Sequence, residues 1–308
     1  MSINTLQTAT LFQQQLDLVA VQSALTGWMD ANAGQVRYTG GAEVKIPKMN
    51  LDGMGNYDRE GGYAQGSINL EYETRKMTQD RGRKFHLDAM DVDETNFVAT
   101  SANVMGEFTR TQVVPEIDAY RLSKLITIAI KHEKNVVYGY TPSDTTMLKE
   151  VKKGIARIRD NGYNGPLVIH MTAEAKLELE TQMAGKITTM TFSHNGIDTT
   201  VPAVDNCPII ETPQNRMYSA ITLNDGKTEG QKQGGYSKGT SALEANFIIV
   251  PRSTPIAVTK QDKMRIFDPE TNQDANAWQM DYRRFHDCWV LDNKENSIYV
   301  NIKDAKVD

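Results

Sequence analysis

DVDETNFVATSANVMGEFTRTQVVPEIDAYRLSKLITIAI, residues 91–130, decides the fold. Asp91 stands as an N-cap with Glu94 three residues on, the reciprocal arrangement that satisfies two free backbone N–H groups at a helix start. Phe97, Val104 and Phe108, then Val114, Ile117, Leu122, Leu125, Ile126 and Ala129, recur at helical spacing. Pro115 either kinks one continuous helix or opens a second, collinear one. At ~1.5 Å per residue the whole stretch spans about 60 Å, more than the width of a compact 100-residue domain. Such a helix needs covering surface from a long arm or from another chain.

The composition agrees. Of 308 residues only 39% are apolar, below the usual share, which suits extended segments without a complete core of their own. A net charge of −5 argues against a coat held on nucleic acid by basic charge. No apolar run approaches the length of a membrane-spanning helix, and residues 1–30 lack the pattern of a signal peptide. Cys207 and Cys288 read as two free thiols. His86, His132, His170, His194 and His286 are scattered singly, without metal-ligand spacing, and no cofactor is expected.

Upstream of the helix, Leu6, Leu11, Phe12, Leu16, Val19 and Ala20 trace an amphipathic stripe that continues weakly toward Trp28. It either docks on its own domain or reaches a neighbour. From Val36 to His86 two alternating segments, 44–49 and 67–72, flank LDGMGNYDREGGYAQG, a glycine-rich tip that cannot form a core. The whole is a long two-stranded hairpin, and an isolated hairpin is at best marginally stable, so it should lie on another subunit. Gly53-Met54-Gly55 lacks the strand, helix and Gly-Lys-Ser/Thr ending of a phosphate loop. Tyr57, Arg59, Tyr63 and Tyr72 are the aromatic and arginine anchors expected at an interface. Arg75, Lys76, Arg81, Arg83 and Lys84 form a compact basic cluster with few aromatics, better suited to a solvated or inter-subunit ion-pair strand than to nucleic acid.

Downstream, Leu148, Val151, Ile155 and Ile158 form a one-sided helix stopped by Asp160-Asn161-Gly162; Leu167–Met171 is a buried strand and Thr172 caps the next helix. Then follow a polar loop (185–206), strands at 207–211 and 217–223, a glycine- and lysine-rich mobile loop (224–242) and a strand at 247–250. The tail reads as strands at 256–258, 264–267, 279–285 and 287–291, with Trp289 and Leu291 forming a hairpin with Ile298, Val300 and Ile302. The long helix is the surface on which these strands should pack. His170 reads as a core or edge histidine, and no nucleophile–base constellation marks an enzyme.

This order, with FHLDAMDVDETN (85–96), QVVPEIDAYRLSKL (112–125) and RIFDPETNQDANAWQMDYRRFHDCWVLDNKENSIYV (265–300), resembles the major capsid proteins of tailed bacteriophages with the Hong Kong 97-type fold. The resemblance implies an α+β chain divided into an N-terminal arm (1–35), an extended E-loop (36–87), a spine helix with the first part of a peripheral domain (88–140), an inserted axial domain (141–258) and the rest of the peripheral domain (259–308). It implies a structural protein that assembles with itself, as hexamers and pentamers, into an icosahedral shell around double-stranded DNA. Scaffolding, portal and decoration proteins would be further partners, the DNA contact would be weak and non-specific, and no membrane is involved. Assembly would take place in the host bacterial cytoplasm and the product would be the virion. An encapsulin-type shell enclosing a cargo enzyme shares the fold and is the alternative. Leu11, Phe12, Arg75, Arg81 and Arg83 join the four loop residues as expected inter-subunit contacts. Only some thirty-five residues precede the E-loop, so a separate scaffolding protein, or prior trimming, is expected.

Some relatives join subunits through a lysine in the E-loop, but the tip from Leu51 to Gly66 carries Arg59 and no lysine. Denaturing electrophoresis of assembled particles should therefore show one subunit band; a ladder of covalent multimers would refute this.

Overall fold

The computed structural model describes residues 24–38, 42–88, 90, 101–184, 186–194, 197–272 and 275–306. The capping pair Asp91 and Glu94, Phe97, and Leu11 and Phe12 of the N-terminal stripe lie outside these residues.

The decisive stretch is one unbroken helix, α1: α-helical over Ser101–Phe108, a π-turn over Thr109–Val113, and α-helical again over Val114–His132. The π-turn explains how Pro115 is passed. Proline has no N–H and its ring crowds the carbonyl four residues back. Here the preceding amide, that of Val114, reaches five residues back to the Thr109 carbonyl, which widens the helix just where the ring needs room. Of the two readings of Pro115, continuity holds. The described length is about 48 Å at 1.5 Å per residue. Glu133 ends it in the left-handed conformation, φ 51°.

The helix lies under two sheets. Strands β1 (Arg37–Tyr38), β2 (Glu43–Leu51) and β3 (Ile68–Lys76) form the hairpin ribbon, and β4 (Gln79–Asp88) leads from it into the body. β5 (Val136–Val137) follows α1, then helix α2 (Met147–Asp160), β6 (Leu167–Met171), helix α3 (Ala173–Met183), β7 (Thr188–His194), β8 (Ile197–Val204), β9 (Cys207–Glu211), β10 (Ile221–Leu223), β11 (Tyr236–Lys238), β12 (Ala245–Pro251), β13 (Pro255–Phe267), β14 (Ala277–Val290) and β15 (Tyr299–Ile302). A seven-stranded sheet has the order β5-β15-β12-β6-β9-β8-β7; a three-stranded sheet has the order β13-β14-β4; β10 and β11 pair alone.

The seven-stranded sheet is filled from both sides, as strand periodicity allows. Val168, Ile248, Val250, Val300 and Ile302 meet Leu122, Leu125, Ile126 and Ala129 of α1, whereas Leu167, Ile169, Phe247, Ile249 and Tyr299 meet Met147, Val151, Ile155 and Ile158 of α2. Gly154 permits that second contact: a Cβ there would stand 2.7 Å from Ile249 Cδ1. Toward its N-terminal end α1 changes sheets, and Met105 and Phe108 pack on Phe85, Met264, Ile266, Met280 and Tyr282 of β4, β13 and β14. Thr172 caps α3 by accepting the Ala175 amide, and Gly162, φ +88°, closes α2.

Several strand readings need correction. The stretch read as a polar loop, 185–206, is the β7–β8 hairpin, His194 pairing with Ile197 across Asn195-Gly196. Tyr236–Lys238, inside the loop read as mobile, pairs with Ile221–Leu223, and the preceding 217–220 is not strand. Residues 255–267 are one strand, since a register shift between Thr259 and Gln261 absorbs the polar break; 277–290 is likewise continuous. Trp289 and Leu291 do not pair with 298–302: the chain crosses over through the 3₁₀ turn Asp292–Ser297, and β15 pairs with β12 and β5.

Polar ties are buried with the core. Asp118 of α1 accepts the Leu25 and Thr26 amides, the Thr26 hydroxyl and the Arg216 guanidinium at 2.9 Å. Arg121 donates to the Thr26 carbonyl and to Asp30. Trp28 Nε1 donates to His170 Nε2 at 3.1 Å. An indole is a donor only, so Nε2 must be the bare nitrogen, and Nδ1–H donates to Thr212 Oγ1, 3.1 Å away.

Burial pushes His170 down from its ordinary 6.5 to about 3. Between those values the unfolded chain binds a proton that the folded chain does not, so this contribution is complete above pH 6.5 and is lost as pH falls toward 3. In denaturant titrations of dissociated subunits, His170→Gln should flatten the fall in stability between pH 6 and 4 by up to about 1.4 kcal/mol per pH unit. An unchanged slope would assign the titration to another group.

Candidate assembly surface

The hairpin is built from two faces of opposite character. Its register places Pro47 opposite Tyr72, Met49 opposite Leu70 and Leu51 opposite Ile68. Directly opposed residues share a face, so these six apolar side chains form one continuous outer surface. It is in the open: Ile68 is 74% and Leu51 64% exposed. Eight of the ten large hydrophobic residues left exposed among the described residues lie from Met49 to Tyr72, which makes this ribbon the main concentration of uncovered apolar surface among them.

The inner face holds the ribbon to the body. Val44 and Ile46 are buried with Met77, Ile256, Val258, Trp289 and Leu291. On the same face Glu73 stands opposite Ile46 and Arg75 opposite Val44. Where β3 turns into β4, Thr78 donates its amide and hydroxyl to the buried carboxylate of Asp287, which Tyr120 and Lys124 of α1 also reach. Burial acts against the charge on Lys124, but Asp287 outweighs it and raises the lysine above its ordinary range. The hairpin root is thus locked to the helix.

At the far end the tip closes on itself. Asp58 and Gly62 exchange backbone hydrogen bonds of 3.0 and 2.7 Å, and Asp52 accepts from the Ser67 amide and hydroxyl. Tyr57 and Tyr63 meet edge to face with centroids 5.0 Å apart. Met54 is fully exposed and Tyr63 89% exposed. Tyr57, Tyr63 and Arg59 therefore share the tip, and Tyr72 belongs to the outer apolar face. Met49, Leu51, Ile68 and Leu70 escaped the sequence reading. Their signal, matched alternation in two strands, becomes a surface only once register is known.

The three arginines have partners within the chain. Arg75 pairs with Glu73 and with Asp292 at 2.6 Å. Arg81 makes a two-pronged pair with Glu116 of α1 and donates to the carbonyls of Asn224 and Gly235. Arg83 donates to the Lys232 carbonyl. The glycine-rich loop read as mobile is thereby drawn over β4 and the π-turn of α1, enclosing a cleft of about 610 Å³.

The mixed α+β fold of this chain matches that of solved phage capsid chains. Among solved structures the chain is similar to one from Mycobacterium phage Che8 (TM-score 0.55, 14% identity, 87% of this chain and 86% of that one). It is similar also to the capsid structure of the cyanophage P-SCSP1u (TM-score 0.55, 9% identity, 87% and 85%) and to the mature capsid of bacteriophage PhiM1 (TM-score 0.52, 10% identity, 85% and 82%). No protein-family model and no curated protein matches the sequence.

Because the outer face is exposed, polar substitutions there should leave the isolated subunit's stability within about 0.5 kcal/mol. The double variant Leu51→Asp, Ile68→Asp should melt like the unaltered chain yet lose self-association in sedimentation. Retained association would remove the outer face from the interface.

Proposed function

We propose that this chain is a major capsid protein of a tailed bacteriophage, a structural protein that assembles with itself into a closed icosahedral shell around double-stranded DNA. The observation that carries the reading is the uncovered outer face of the hairpin on a body with the fold of phage capsid chains. Six apolar side chains of this size, fully covered, represent on the order of 10 kcal/mol before the costs of association are subtracted. Repeated around a closed shell, such contacts must break together for a subunit to leave.

In this reading 36–87 is the E-loop, 88–140 the spine helix with the first part of the peripheral domain, 141–258 the axial domain and 259–308 the rest of the peripheral domain. Tyr57, Arg59, Tyr63 and Tyr72 lie on a neighbouring subunit, and the N-terminal arm with Leu11 and Phe12 reaches another. Arg75, Arg81 and Arg83 act within the subunit instead. The net charge of −5 leaves DNA held by the closed wall rather than by strong binding to each subunit. Scaffolding, portal and decoration proteins complete the set of partners.

Electron microscopy of the purified chain should show closed shells, and particles from infected cells should contain DNA. A cargo protein in place of DNA would favour the encapsulin reading. Removing Gly53–Gly66 should leave a folded subunit that makes no closed shells; normal shells from that deletion would overturn the role of the loop.

A further inference from the structure

The expected contact Arg75 points inward, and its partners form a chain. Lys48 of β2 stands 3.7 Å from Glu73 of β3, Glu73 is 3.0 Å from Arg75, and Arg75 is 2.6 Å from Asp292. These charges run beside the apolar anchor, Arg75 across from Val44 and Glu73 across from Ile46, and end on Asp292 of the 3₁₀ turn Asp292–Ser297. That turn is itself gripped from three sides. Glu295 pairs with His132 at the end of α1. The Asn296 carbonyl accepts from Asn135, and Lys294 donates to the Ser253 carbonyl. Thr254 and Ser297 share a hydrogen bond. The turn also carries the chain from β14 of the three-stranded sheet to β15 of the seven-stranded one.

We infer that Arg75 and Asp292 form a clamp that sets the angle of the hairpin against the body and thereby the curvature of the assembly. The inference rests on the capsid reading above. The Thr78–Asp287 bonds hold the turn from β3 into β4 and the apolar anchor fixes where the ribbon leaves the body, but along the ribbon itself packing of Val44 and Ile46 is non-directional and constrains tilt poorly. A guanidinium bridging two carboxylates is directional. Leverage makes the tilt matter: nine-residue strands reach about 30 Å, so a change of about 5° at the root displaces the far end by roughly 3 Å. Closed point-group assemblies tolerate little scatter in the angle between neighbours. An ion pair of this exposure adds little to subunit stability, so orientation is the property it can control. Arg75 is accordingly a positioning residue: it acts through the ribbon and need not touch the neighbour.

The test compares assembled particles of the full chain with Arg75→Ala, Asp292→Ala, the double variant and Arg75→Lys. Each dissociated subunit should melt as the unaltered chain does. The two single variants and the double variant should show the same loss of a single diameter class in electron micrographs, toward mixed sizes and open sheets. Equal effects identify one shared clamp, since independent contributions would add. Arg75→Lys, which keeps the charge but not the planar guanidinium whose Nη2 reaches both Glu73 and Asp292, should restore the main class at least in part. A diameter distribution unchanged in Arg75→Ala, or a double variant worse than either single one, would overturn the clamp. If the unaltered chain makes no shells, the capsid reading falls and the clamp with it.

Discussion

A single buried carboxylate on the long helix organises the contacts around it. Asp118 is fully enclosed and ionised groups pay heavily for that unless every lone pair is met. Here the partners come from three parts of the chain: the Leu25 and Thr26 amides, the Thr26 hydroxyl and Arg216. One turn along, Arg121 faces the opposite demand and meets Thr26 and Asp30. The helix therefore cannot be buried correctly until the segment at 24–30 and the turn at 214–216 are both in place. Apolar stripes bring the sheets to the helix, but stripes slide; these polar contacts set the rotation and register at which they stop.

The same logic runs through Asp287 of β14. It gathers Tyr120, Lys124 and Thr78, and so couples the helix to the root of the hairpin. A two-stranded ribbon is unstable alone, and an apolar one invites uncontrolled pairing. Fixing its root to the most rigid element gives that apolar surface a defined orientation on the body.

The parts of this fold that repeat locally were legible in the sequence. The stripe from Val114 to Ala129, the alternation around the hairpin, the Thr172 cap and the glycine stop at 162 all depend on residues a few places apart. What escaped has two causes. Some signals were local but diluted: Asn195-Gly196 between threonine-rich flanks is a strong hairpin cue, hidden by low hydrophobicity. Others exist only in three dimensions. Arg75 and Asp292 lie 217 residues apart, and Asp118 and Arg216 lie 98 apart, so no spacing announces them. For the same reason the internal partners of Arg75, Arg81 and Arg83 could not be read from a cluster expected to be a solvated or inter-subunit ion-pair strand. That Tyr57 and Tyr63 stand exposed was legible because aromatics in a glycine-rich loop have no core to enter; the apolar face beside them needed register.

Register also explains why the helix carries its π-turn where it does. Glu116, one residue past Pro115, makes the two-pronged pair with Arg81, which in turn holds the carbonyls of Asn224 and Gly235. Val114, Ile117 and the apolar stripe beyond them face the core around the same turn. Without the extra residue of the π-turn, everything on the N-terminal side would be rotated by about 100° relative to the stripe. Met105 and Phe108 would then face away from β14 while Leu122 and Leu125 kept their places. The π-turn thus does two things at once: it makes room for the proline, and it phases one helix to pack against two separate sheets.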